Sequence, residues 1–98
     1  MLFRFSDLAS AELAEAVRWY EHREPGLGDR FLQAVNSTID LIQSHPDIGV
    51  PRAGRLPSRQ FFVHRFPYGV VYRVRRDDIY VIAVAHTSRR PGYWKERP

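Results

Sequence analysis

Cysteine is absent from this sequence, so neither a disulfide framework nor a thiolate metal site can hold its fold. That absence suits the reducing cytoplasm, where the chain is expected to reside. Lysine is nearly absent as well: of the fifteen basic residues all but Lys95 are arginine. A guanidinium presents a planar fork of donors that matches phosphate and carboxylate, whereas an ammonium is a hydrated point charge. The preference therefore points to a polyanion or an acidic partner, or else to the arginine codons that GC-rich genomes favour. Long apolar runs are missing too. The longest, Ile79 to Ala85, has seven residues, against the roughly 20 that a membrane-spanning helix needs. The stretch from Met1 to Asp7 has neither an apolar signal region nor a small-residue cleavage site, so no membrane partner is expected. There is no glycine-rich phosphate loop, no His-Glu-x-x-His and no cysteine pair, so neither cofactor nor metal is expected.

What is present fits one globular domain over residues 1–98, with 44% apolar and 27% charged residues. The charge is unevenly spread. Met1 to Gly49 holds four basic and eight acidic residues, a net −4, whereas Val50 to Pro98 holds eleven and three, a net +8. The second half is a suitable surface for an acidic segment that folds as it binds.

Leu2-Phe3-Arg4-Phe5 reads as a short opening strand, followed by Ser6 or Asp7 as an N-cap. Ala9, Leu13, Ala16, Val17 and Tyr20 share one helical face, predicting a helix from about Leu8 to His22. Trp19 falls off that stripe, at the helix–loop edge. Pro25-Gly26-Leu27-Gly28 breaks the pattern. Phe31, Val35, Ile39 and Ile42 then predict a second helix, from about Asp29 to Ser44, antiparallel to the first. Residues 46 to 58, with three prolines and two glycines, read as a loop. Three strands are expected after it: Arg59 to Phe66, Val70 to Arg75 and Ile79 to Ala85. The last is apolar on both faces, which suggests a central position. The tail from His86 is rich in arginine and aromatics and is not expected to extend the sheet. The expected fold is thus α+β, in the order β-α-α-β-β-β, with a helix hairpin on one face of a mainly antiparallel sheet.

Three segments together resemble the ParE/RelE family of toxins from type II toxin–antitoxin systems. Trp19-Tyr20-Glu21 with Pro25-Gly26-Leu27-Gly28 and Phe31 resembles the family's helix hairpin. Arg65-Phe66-Pro67-Tyr68-Gly69-Val70-Val71-Tyr72 resembles its strand–turn–strand segment. Ile82-Ala83-Val84-Ala85-His86 with Arg89, Arg90, Pro91, Tyr93 and Trp94 resembles its final strand and tail. The likeness runs in order over almost the whole chain.

The resemblance implies a toxin held inactive by a cognate antitoxin whose acidic C-terminal segment wraps it. A hetero-oligomer is then expected, meeting operator DNA only through the antitoxin. ParE-like members poison DNA gyrase by binding, whereas RelE-like members cleave mRNA on the ribosome. A third possibility is a member that binds antitoxin without being toxic. Cleavage by 2′-hydroxyl attack needs a proton acceptor, a proton donor and cations at the phosphate. For that reaction His86, Arg89 and Tyr93 are the candidate catalytic residues. Arg59, Arg73, Arg75, Arg90 and Trp94 are the candidates for binding antitoxin or target. Each has a plainer alternative. His86 can hold a backbone group at the strand end, Arg73 and Arg75 can be a solvated strand face, and Tyr93 and Trp94 can pack the tail on the sheet. The lysines that RelE-like nucleases carry on the helix side are missing here, which favours the gyrase reading.

Overall fold

In the computed structural model, which describes residues 2–98, two helices cover one face of a five-stranded sheet. The elements are β1 (Leu2–Phe5), α1 (Asp7–Arg23), α2 (Leu27–Ser44), β2 (Val50–Arg52), β3 (Ser58–Phe62), β4 (Tyr68–Val74) and β5 (Asp78–His86). Across the sheet they lie in the order β1-β5-β4-β3-β2. The helix hairpin separates β1 from the rest, and β1 pairs parallel to β5, with Leu2 opposite Asp78. All other pairings are antiparallel. β5 is an interior strand, as its two apolar faces require.

The α1 N-cap is Ser6, whose Oγ accepts the Ala9 N–H at 3.1 Å, and Asp7 occupies the first turn. α2 begins two residues earlier than its apolar stripe predicts. The Glu21 carboxylate, reaching over from α1, accepts the N–H groups of Gly26 and Gly28 at 3.0–3.1 Å. A side chain from the first helix thus satisfies orphan donors of the second. Gly28 is required there, because a Cβ would stand 2.7 Å from the Val17 carbonyl oxygen.

The segment expected to be wholly loop contains β2, which pairs Val50–Arg52 with Ser58–Gln60. Proline weighed against a strand in the sequence, but Pro51 lies on the outermost strand, where a missing N–H breaks no ladder. β3 also ends earlier than expected, at Phe62. Val63 N–H donates to the Tyr68 carbonyl at 2.9 Å, and Arg65 turns left-handed at φ 69°. The hairpin therefore closes before Phe66.

The main core lies between sheet and helices. It joins Ala9, Ala16 and Tyr20 of α1 to Phe31, Val35 and Ile42 of α2 and to Val70, Tyr72, Ile79, Val81 and Val84 of the sheet. Tyr20, Phe31, Phe66 and Tyr68 form an aromatic cluster with ring centroids 5.0–6.1 Å apart. A smaller cluster covers the other face, where Trp94 from the tail packs on Val71, Ile82, Ala83 and Ala85. Among the described residues, no helix is long and apolar enough to cross a membrane.

Candidate functional site

The site begins with an irregularity in β5. Val71 faces Ala83 and Tyr72 faces Val81, so Ile82 is an extra residue without a partner in β4. Such a bulge shifts the alternation of side chains by one. Ile79, Val81 and Val84 enter the helix-side core, while Ile82, Ala83 and Ala85 face the tail. Continuing from Val84, His86 points to the helix side, its ring 5.0 Å from that of Tyr68.

There His86 lines a cleft of about 340 Å³ with Glu12, Glu15, Trp19, Tyr68, Ser88 and Arg89. Its Nδ1 accepts the Ser88 backbone N–H at 3.0 Å, with Ser88 Oγ at 2.7 Å. An N–H donated to Nδ1 requires a lone pair there, so the neutral ring carries its proton on Nε2. Trp19 is half exposed at the cleft wall, with the Arg23 guanidinium 4.6 Å from its ring centroid.

Tyr93 stands next to this cleft rather than in it. Its hydroxyl donates to Glu12 Oε2 at 2.7 Å, and the Arg89 guanidinium lies 4.2 Å from its ring centroid. Burial first, and the Glu12 carboxylate second, push this hydroxyl well above the usual tyrosine range. The same carboxylate accepts the Val84 N–H at 3.0 Å and two Arg97 N–H groups at 3.0 and 3.1 Å. Arg97 in turn donates to the Ile82 carbonyl at 2.9 Å. β1 pairs with β5 only as far as Val81. The Glu12–Arg97 pair therefore satisfies the β5 backbone where no strand continues.

The remaining candidates are spread over the molecule. Arg59 donates to the carbonyls of Asp47 and Gly49 at 3.1 and 2.9 Å, fastening the segment before β2. Arg75 makes two bonds of 2.6 Å to the Asp78 carboxylate, holding that carboxyl below its ordinary range. Arg73 donates to the Pro98 carbonyl, and its Nη1 is buried without a partner. Burial, with Arg75 and Arg55 nearby, lowers its pKa from the ordinary arginine value. Arg73 and Arg75 both lie over the Tyr80 ring, at 5.4 and 4.1 Å. Trp94 is 5% exposed, within the second core. Arg90 is exposed in the tail. His86 and Arg89 thus share one cleft, Tyr93 adjoins it, and Arg59, Arg73, Arg75 and Arg90 do not reach it.

The family described as the ParE toxin of type II toxin–antitoxin systems, parDE, matches residues 3–91. This chain belongs to the ParE toxin family. A solved structure, of the chromosomal ParDE TA system from P. aeruginosa, aligns with a TM-score of 0.75 and 19% identity. The alignment covers 90% of this chain and 97% of that one, and the likeness is one of fold. Comparison with curated protein sequences finds no match.

For a ParE-family chain, the side chain that organises this region is one the sequence did not single out. Glu12 lies off the apolar face of α1, where it reads as a solvated charge. Its partners Val84, Tyr93 and Arg97 are 72 to 85 positions away, so no local spacing announces them. Arg97 went unnoticed for the same reason. Trp19 alone left a trace, being a large aromatic off the buried stripe.

Proposed function

We propose that this chain is the toxin of a type II toxin–antitoxin pair, neutralised by a cognate acidic antitoxin, and that it inhibits DNA gyrase by binding rather than by chemistry. The observation that carries the reading is the engagement of the candidate proton donors. The Tyr93 proton is held by Glu12 and resists release, and His86 Nδ1 is occupied by Ser88. Neither is presented as a free acid–base pair. The charge division supports the antitoxin half of the reading, because a sheet-bearing half at +8 is complementary to an acidic wrapping segment. The chain would then work as a hetero-oligomer in the cytoplasm and meet operator DNA only through its antitoxin.

One observation favours a ribosome-dependent mRNA endonuclease instead: His86 Nε2 remains available in a cleft that also holds Arg89. Inducing the chain in a bacterial host, with labelled thymidine and labelled methionine followed in parallel, tests both. DNA synthesis failing first, with a DNA-damage response, is the outcome expected of the gyrase reading. Early collapse of protein synthesis, abolished by His86→Ala, would replace it with the endonuclease. Unimpaired growth would leave a chain that binds antitoxin without being toxic.

A further inference from the structure

β3 is longer than the strand that covers it. β2 pairs with Ser58 to Gln60 and then stops, leaving Phe61 and Phe62 without an outer neighbour. The preceding chain is drawn off the sheet edge. Tyr72 Oη accepts the Gly49 N–H at 3.0 Å and donates to the Pro46 carbonyl at 2.8 Å, while Arg59 holds the carbonyls of Asp47 and Gly49. Gly49 permits this, since a Cβ would meet Tyr72 Oη at 2.7 Å and Arg59 Cβ at 2.9 Å.

The direction of the free groups follows from the hairpin. Val63 N–H points to β4, where it donates to Tyr68. In an antiparallel ladder the next residue back, Phe62, turns its N–H and C=O the other way. These groups open onto a groove of about 880 Å³ between β3 and α2, with Ala34, Thr38, Leu41 and Phe61 among its walls. Leu41 and Phe62 are 47% and 46% exposed. Arg30, His64 and Arg65 also line the groove, Arg30 being paired with Glu24, and no Asp or Glu does so among the described residues.

We propose that this groove receives an extended, acidic segment of the antitoxin, which adds as a short strand along Phe62 and lays alternate apolar side chains against Leu41 and Ala34. The inference rests on the toxin–antitoxin reading given above. Strand addition supplies affinity through main-chain hydrogen bonds, and the pocket beside the edge supplies specificity. A wall with arginines and no carboxylates admits an acidic segment and opposes a basic one. The free stretch is too short, and β2 with its Pro51 too close, to invite general edge-to-edge pairing.

The test is calorimetric titration of the whole chain with the full-length antitoxin encoded beside it, together with amide hydrogen exchange at Phe62. Leu41→Asp places a carboxylate in the groove at a half-exposed position. Leu8→Asp is the matched control, at a site 56% exposed and outside the groove. The expected result is exchange at Phe62 slowed about tenfold or more in the complex. Affinity should fall about tenfold or more for Leu41→Asp, with Leu8→Asp binding as the parent does. Tight binding with Phe62 exchange unchanged and Leu41→Asp at parental affinity would overturn the groove while leaving the antitoxin reading in place. No binding by the parent chain would overturn both. A dimer of the free chain that Leu41→Asp abolishes would assign the groove to a second copy and overturn the proposal as well.

Discussion

Glu12 accepts hydrogen bonds from β5, from Tyr93 and from Arg97, and it is only 17% exposed. Truncating it leaves a backbone N–H, a phenol and a guanidinium without their acceptor, all at a poorly hydrated place. Glu12→Ala should therefore cost about 2–4 kcal/mol in urea unfolding, far more than an exposed ion pair contributes. Tyr93 gives a second residue-scale expectation, at alkaline pH. Its folded-state pKa is raised, so the unfolded chain releases this proton first, near the ordinary tyrosine value of about 10. Stability is then complete below that pH and falls as pH rises beyond it. Tyr20, Tyr68 and Tyr72 are shifted in the same direction by burial and add to the fall. Urea midpoints between about pH 9 and 12 should decline less steeply for Tyr93→Phe than for the parent, because one titrating proton is gone. An equal slope would mean that Glu12 does not hold the phenol protonated.

At the scale of elements, the helix hairpin depends on close approach at Gly28. Gly28→Ala raises helix propensity, yet its methyl meets a backbone oxygen, which cannot swing aside as a side chain could. The net effect should be a loss of about 1–2 kcal/mol. In a thermal scan that corresponds to a Tm lower by roughly 5–15 °C. Both helices were legible in the sequence because contacts at a spacing of 3.6 residues leave a local stripe, from Ala9 to Tyr20 and from Phe31 to Ile42. β2 was not, since Pro51 weighs against a strand unless its place at the sheet edge is known. The bulge at Ile82 was hidden for another reason. β5 is apolar on both faces, and a slip of one residue leaves no mark in such a run. Yet that slip decides which side of the sheet His86 faces. The sequence therefore brought His86 and Arg89 forward as neighbours but could not say that Glu12 and Trp19 complete their cleft.

For the molecule as a whole, the division of charge is the feature the sequence states most openly. The acidic half is largely the helix hairpin, and the basic half carries β2 to β5 and the tail. An acidic partner steered to the basic half should associate more slowly as salt screens the attraction, by roughly tenfold between about 0.05 and 0.5 M. Stopped-flow rates that are flat with salt would show that apolar contacts alone guide the encounter. The pairing of β1 with β5 has a consequence in time. The first strand to leave the ribosome finds its partner only when residues 78–81 have been made, and the second core waits longer still, for Trp94. Loop closure over such separations is slow. A nascent chain therefore cannot complete either face of its sheet until translation is nearly finished. During that interval, a partner already present in the cell can meet it before it is fully formed.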